Sequence, residues 1–321
     1  MRVGRERALE KALDRFPAAA RPLLSQLPQQ AGCLQVEEVA ALCKALNLTP
    51  LALALALLPL AQSFARPEIS GFSVGAVAVA VTEDALVKGS PALETPALYL
   101  GANLEFRDLP LYHTIHAEQT AVCNAWQARS GRLKALAVTA PPCGTCRQFL
   151  MEATGRQDLS ILTPAPAEDC RRTTLAALLP EAFGPDALNM EASLFDLAPV
   201  AFDNDSIPTP PERPNDAMIR IARMAAESSY APYTNNRAGC ALRLTDGTIL
   251  WGRCLESAAY NPGLTALQSV LAMASLRDAR LPDDIERVVL AERPTAAAQT
   301  AAAELLLSTW APRAEFISHL F

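Results

Sequence analysis

The chain has 321 residues, 50% of them hydrophobic and 19% charged, with a formal net charge of −6. That length suits two or three domains, and that apolar share can bury substantial cores. An acidic chain offers no electrostatic footprint for a phosphate backbone, so a polynucleotide partner is disfavoured, whereas an uncharged small molecule needs no such patch.

The first sixteen residues, MRVGRERALEKALDRF, are charged and helix-patterned and do not read as a secretory signal. The eight cysteines are Cys33, Cys43, Cys123, Cys143, Cys146, Cys170, Cys240 and Cys254, scattered apart from one pair, so a reduced cytoplasmic setting is the expectation. Residues 1–64 read as a helical segment: two amphipathic pieces joined by a turn from Pro28 to Gly32, then Val36 to Leu46, then the apolar run Leu51 to Ala61. That run, LALALALLPLA, contains a proline and is too short to span a bilayer, so it reads as a buried helix end and no membrane partner is expected. Nothing here suggests chemistry, and the segment is expected to pack against the domain C-terminal to it.

A second domain is expected over 65–200. Phe72 to Val81 (FSVGAVAVAV) alternates and is rich in β-branched residues, the pattern of a strand. Thr82 to Pro96 is polar, with Gly, Ser and Pro, and reads as a hairpin loop before a returning strand, Leu98 to Phe106. Alternation places Asn103 and Glu105 on one face of that strand, an amide and a carboxylate suited to holding a pair of hydroxyls. A solvated strand end gives the same spacing, and spacing alone favours that reading.

The next stretch concentrates chemistry. His116 and Glu118 open a segment of helix-favouring composition, and two residues so spaced share one focus only at a helix start, before the backbone is regular. Leu133 to Ala140 reads as a short buried strand stopped by Pro141-Pro142. Cys143 and Cys146 follow at the start of a second helix, where Cys-x-x-Cys lets both sulfurs face one cation and the positive helix end favours thiolate. One imidazole and two thiolates leave a fourth position open, the arrangement of a catalytic zinc, which lowers the pKa of water from about 15.7 to roughly 7. Glu118 is then placed to move protons. A redox pair leaves His116 and Glu118 unexplained, and a structural zinc needs a fourth ligand, for which His113 is the nearest candidate.

His116-Ala117-Glu118 and Pro142-Cys143-Gly144-Thr145-Cys146 fit the H-x-E and P-C-x-x-C signature of zinc deaminases position for position. With its neighbours, TIHAEQTA and PPCGTCRQF, the chain resembles the cytidine deaminases in their larger, two-domain, dimeric form, from about Leu55 to the C-terminus. The resemblance implies an α/β fold, a duplicated cytidine-deaminase-like three-layer α/β/α sandwich preceded by a helical segment. It implies a Zn2+-dependent deamination of cytidine and deoxycytidine, with His116, Cys143 and Cys146 on the metal and Glu118 as the catalytic acid-base. It also implies ribose binding by Asn103 and Glu105, a base pocket lined by Phe72, and Ala117 among the substrate-binding residues. Arg147, directly after the second thiolate, is expected to offset the charge of the thiolates. Two further readings stay open: a related deaminase acting on a cytosine-containing antibiotic or a nucleic-acid base, and a non-catalytic zinc protein.

Beyond Cys146 a helix is expected to about Gly155, then a strand at Leu159–Leu162 and a helix from Arg171 to Leu179. The segment Glu181 to Pro185 resembles one that, in the dimeric family, sends a phenylalanine into the neighbouring subunit's site. Phe183 holds that place, though a Phe before Gly-Pro also anchors ordinary turns. Residues 201–215, rich in Pro, Asp and Asn, read as a linker.

Residues 216–321 repeat the pattern without its chemistry. Ala238-Gly239-Cys240-Ala241 echoes Val74 to Val77, Asp246-Gly247 marks a hairpin, and Leu250 to Glu256 echoes Gly101 to Glu105. Laid on the first copy, His116 to Gln119 meets Thr265-Ala266-Leu267-Gln268, and the Cys-x-x-Cys segment meets roughly Pro294 to Ala298. Every ligand and the proton-moving Glu are missing together, so this copy is expected to be a catalytically dead scaffold, with a homodimer as the assembly.

Overall fold

The computed structural model describes residues 2–81, 96–128, 130–154, 158–165, 170–190, 193–195, 214–277 and 279–321. The loop expected over 82–96 and the linker expected over 201–215 thus fall outside the described residues, except for Pro96 and for Pro214 and Asn215, which already begin a helix. The chain divides into two compact units: Met1–Glu105 with Thr114–Leu197 and Ser275–Asp278, and Phe106–His113 with Ala198–Ala274 and Ala279–Phe321.

The first unit begins with helices α1 (Arg2–Leu13), α2 (Arg21–Leu24), α3 (Val36–Leu46), α4 (Pro50–Ala56) and α5 (Leu58–Ser63). The apolar run is therefore two helices, not one helix end. Leu57 separates them, and each carries a proline in its first two positions, where the missing N–H costs nothing. Between α2 and α3 lies an unexpected strand, β1 (Cys33–Leu34), which pairs antiparallel with Tyr99 and Leu98. Two residues are too few for any periodicity to register.

The sheet continues with β2 (Gly75–Val81), β3 (Ala97–Ala102), β4 (Arg132–Val138), β5 (Ser160–Thr163) and β6 (Arg171–Thr174). Helix α6 (Ala117–Gln127) precedes β4, α7 (Gly144–Thr154) joins β4 to β5, and α8 (Leu175–Leu178) follows β6. The strand order is β1-β3-β2-β4-β5-β6, antiparallel except for β4 and β5, whose parallel pairing requires the helical crossover. Three elements depart from expectation, the first being β3, which ends at Ala102 and not at Phe106. The ladder of β2 starts only at Gly75, and all seven of its residues are buried, so the alternation of that run marks no wet face. The expected helix from Arg171 to Leu179 splits: β5 has a free edge, and Arg171–Thr174, ending in two β-branched threonines, pairs with it. Thr174 then caps α8 by accepting from Ala177 N at 3.2 Å.

Gly75 and Gly101 fix the layering. Gly75 pairs with Ala102 and Gly101 with Ala76, so the two glycines point to opposite faces of the sheet. A Cβ on Gly75 would lie 2.5 Å from Gln62 N in α5, and one on Gly101 would lie 2.2 Å from Ala121 N and 2.4 Å from Ala117 O in α6. Helices α5 and α6 thus touch the sheet backbone from opposite sides, which makes the unit a three-layer α/β/α sandwich. Gly101→Ala is expected to push α6 outward and cost about 1–3 kcal/mol of stability, the usual cost of overpacking, read as a lowered denaturant midpoint. An unchanged midpoint would show that α6 moves freely.

The second unit contains α9 (Pro214–Glu227), β7 (Ala238–Leu244), β8 (Ile249–Arg253), α10 (Ala266–Ser275), β9 (Ile285–Glu292), α11 (Thr300–Trp310) and β10 (Glu315–Leu320). Its order, β8-β7-β9-β10, repeats β3-β2-β4-β5 with the same strand directions. Even the irregularity recurs: the β2/β4 ladder shifts between Val79 and Ala80, and the β7/β9 ladder between Arg243 and Leu244. Gly239 and Gly252 repeat the close approaches, against Ala222 O in α9 and Val270 N in α10. The Asp246-Gly247 turn joins β7 to β8, with Gly247 at φ 87°.

Candidate metal centre and active site

His116 is the residue that caps α6, with an extended backbone at φ −85° and ψ 156°. Its side chain therefore leaves the chain before helical periodicity begins, and Glu118 can turn toward the same focus from the first turn. Its backbone N–H donates to Gln119 Oε1 at 2.9 Å, the backbone half of a capping box. Ile115, just before, exchanges two backbone hydrogen bonds with Leu104, both 2.9 Å, which sets His116 beside the segment bearing Asn103 and Glu105.

Cys143 directly precedes α7 and Cys146 lies in its first turn; Arg147 N donates to Cys143 O at 3.0 Å. His116 Nδ1 lies 3.5 Å from Cys143 Sγ and 3.3 Å from Cys146 Sγ, and the three donor atoms all fall within 4.8 Å of one another. Tetrahedral zinc with ordinary bond lengths would separate a nitrogen from a sulfur ligand by about 3.6 Å, so the donor set fits zinc in both type and spacing. Cys143 is exposed, His116 half-buried and Cys146 buried, so one side of the group reaches solvent. His113, the candidate fourth ligand, is not in the group; it belongs to the second unit, where its carbonyl accepts from Gln268 Nε2 at 3.1 Å.

Three donors this close compete for protons. Hydrogen bonds from Cys146 and His116 push the Cys143 thiol down to about 3. The hydrogen bond to Cys143, followed by burial, pushes Cys146 up, and the Cys143 contact raises His116. The hydrogen bonds that lower one thiol raise its neighbours, and a bound dication would let all three serve as deprotonated ligands together. Glu118 is 4% exposed, and burial raises its carboxyl from its ordinary value.

Asn103 and Glu105 lie beyond the end of β3 and are 7% and 6% exposed, so they are not a solvated strand end. Asn103 Oδ1 accepts from Val74 N at 2.8 Å and its Nδ2 donates to Phe72 O at 3.0 Å. Glu105 accepts from Ile69 N at 2.7 Å, Ser70 N at 2.8 Å and Ser70 Oγ at 2.5 Å. Each keeps hydrogen-bonding capacity: one amide hydrogen on Asn103, and one of about four lone-pair sites on the carboxylate. Phe72, held at its backbone by Asn103, has 61% of its surface exposed, so it is no core aromatic. Phe183 is 47% exposed, its carbonyl accepting from Gln148 Nε2 of α7, and Ala117 is wholly buried at the start of α6. The Arg147 guanidinium donates to Pro142 O at 2.9 Å and Leu178 O at 3.0 Å. Its hydrogen bonds tether the loop before Cys143 and keep the guanidinium next to the thiol-bearing segment.

Sequence reasoning missed Gln119, Ile69 and Ser70. Gln119 carried a signal, since Gln three residues into a helix is half of a capping box. The other two contribute mainly backbone N–H groups, which leave no trace in residue identity.

Fold and site together define a zinc-dependent deaminase, with an imidazole and two thiols placed so that they could hold the metal and a buried carboxyl close to them. Two family models, each described as the cytidine and deoxycytidylate deaminase zinc-binding region, match residues 51–162 and 175–304. The cytidine deaminase of Haemophilus influenzae is 37% identical over 94% of this chain and 95% of its own. That of Sodalis glossinidius is 40% identical over 83% of this chain and 82% of its own. The solved cytidine deaminase of Burkholderia pseudomallei is 29% identical over 41% of this chain and 97% of that one, with a TM-score of 0.32. The chain belongs to the cytidine deaminase family.

Proposed function

We infer that this chain catalyses the hydrolytic deamination of cytidine and deoxycytidine to uridine and deoxyuridine with release of ammonia. The observation that carries this is the convergence of His116, Cys143 and Cys146 on one point, with the buried carboxyl of Glu118 two residues from the ligand His. Zinc held by those three residues supplies a Lewis acid that makes a water nucleophilic near neutral pH. Glu118 accepts the proton that water gives up and delivers it to N3 of the pyrimidine, leaving C4 more open to attack. The water oxygen bonds to C4, Glu118 moves its remaining proton to the amino nitrogen, and the C4–N bond breaks to release ammonia. Water is consumed once and the carboxyl ends as it began.

The substrate assignments complete the reading. Asn103 and Glu105 offer their remaining hydrogen-bonding positions to the ribose hydroxyls, Ala117 bounds the base, and Phe72 and Phe183 supply aromatic faces. Two half-exposed phenylalanines support a homodimer in which Phe183 reaches the partner's site. In this reading residues 1–64 brace a catalytic domain over 65–200, and residues 216–321 form a non-catalytic copy after the linker. Ligand thiols must stay reduced to bind metal, which supports a cytoplasmic enzyme of pyrimidine salvage. No single helix among the described residues is long and apolar enough to cross a membrane.

One assay tests this. Purified protein should consume cytidine and deoxycytidine, followed by the loss of substrate absorbance, and leave adenosine and single-stranded DNA unchanged. The same preparation should run at twice the 34.3 kDa chain mass. Turnover of single-stranded DNA in preference to the nucleosides would reassign the substrate, and an active monomer would remove the dimer.

A further inference from the structure

The second unit holds a closed hydrogen-bond network at the place matching the first unit's catalytic centre. Shared geometry fixes the correspondence. Thr265 N donates to Gln268 Oε1 at 3.0 Å as His116 N does to Gln119 Oε1, and Ser269 Oγ donates to Arg253 O at 2.8 Å as Thr120 Oγ1 does to Ala102 O at 3.0 Å. Glu256 accepts from Tyr233 N at 2.8 Å and Thr234 N at 3.2 Å, as Glu105 does from Ile69 and Ser70. Asn236 N donates to Thr234 Oγ1 at 3.0 Å as Phe72 N does to Ser70 Oγ at 3.0 Å. Ala266 therefore stands for Ala117, Leu267 for Glu118, Cys254 for Asn103 and Asn236 for Phe72.

The side chain of Gln299 ends among these residues. Its Oε1 accepts from Ala266 N at 3.0 Å, and its Nε2 lies 3.0 Å from both Asn236 Oδ1 and Cys254 Sγ. The oxygen has a backbone donor and each amide hydrogen has an acceptor, so the carboxamide is satisfied on both edges. Glu292, 1% exposed, accepts from Gln299 N at 2.7 Å, Thr300 N at 3.0 Å, Thr300 Oγ1 at 2.5 Å and Asn236 Nδ2 at 3.2 Å. A carboxylate thus meets the first N–H groups of α11, where the matching helix α7 begins at the thiol pair.

We propose that Gln299 is a built-in occupant of the second unit's ligand site. Its carboxamide presents the donor–acceptor edge of a small amide ligand, and the Glu292–Asn236–Gln299 network holds the start of α11 without metal. The second unit therefore takes neither zinc nor nucleoside, and a small primary carboxamide is the ligand class its site accepts once Gln299 is shortened.

Thermal unfolding of the full chain tests this. Gln299→Ala, which leaves the Ala266 amide and the Asn236 carbonyl unpaired, should melt on the order of 2–6 °C below the parent chain. Excess acetamide, which replaces the deleted atoms, should restore part of that loss in the variant and leave the parent unmoved. N,N-dimethylacetamide, which has no N–H to donate, should restore nothing. Gln299→Met keeps the volume without the hydrogen bonds and should also melt low. If Gln299→Ala does not fold, its refolding yield with each of the two amides makes the same comparison. The proposal is overturned if Gln299→Met melts with the parent, or if the two amides act alike on Gln299→Ala.

Discussion

Glu118→Ala should lower kcat for cytidine by more than about 10²-fold while leaving zinc content and melting temperature close to those of the parent chain. The size follows from what a positioned acid-base group supplies, roughly 10²–10⁴ in rate. Its selectivity follows from position: Glu118 stands outside the donor group formed by His116, Cys143 and Cys146, so its loss leaves the ligands intact. The direction of its titration points the same way. Burial disfavours the charged form and raises the carboxyl, so removing it relieves a desolvation cost. Elemental analysis and steady-state kinetics on one preparation decide the matter. Near-parental turnover would remove Glu118 from the chemistry, and loss of zinc along with turnover would make it a structural support.

Cys146→Ala should abolish both zinc binding and activity, and lower the melting temperature. Cys146 is wholly buried, with its sulfur 3.3 Å from His116 Nδ1, so it is the ligand that solvent reaches least. Two remaining protein ligands hold zinc far more weakly than three, and binding energy lost from the folded state is folding energy lost. A chelator added to the parent chain should reproduce the drop. Cys240→Ala supplies the comparison, because Cys240 is also wholly buried but lies in the second unit, outside the donor group. It should keep its zinc and lose only packing. A full equivalent of zinc in Cys146→Ala would overturn the ligand assignment.

The two variants also show how unevenly the sequence reveals structure. The helix starts at His116 and at the Cys-x-x-Cys were legible, because caps and prolines act over a few residues. The repeat made the first of these sharper: Thr265 with Gln268 is a plain capping pair, 3.0 Å from Thr265 N to Gln268 Oε1, in the position His116 takes in the first unit. The helix expected over Arg171 to Leu179 fails for the opposite reason. Its first four residues are held as β6 by the free edge of β5, and no local pattern announces an unfilled edge.

By itself the sequence determined the donor residue types, their spacing along the chain, the position of Glu118 and the lack of counterparts to all of these in the second copy. Those features are local or compositional, so a short window of residues contains them. The tertiary structure alone decided that His116 meets sulfurs 27 and 30 residues away, that Asn103 and Glu105 are buried clasps on the 69–74 segment, and that Gln299 fills the second unit's site. Each of these depends on which helix lies over which strand. That choice rests on close approaches such as α6 over Gly101, where fit across the sheet, and not the order of residues along it, sets the outcome.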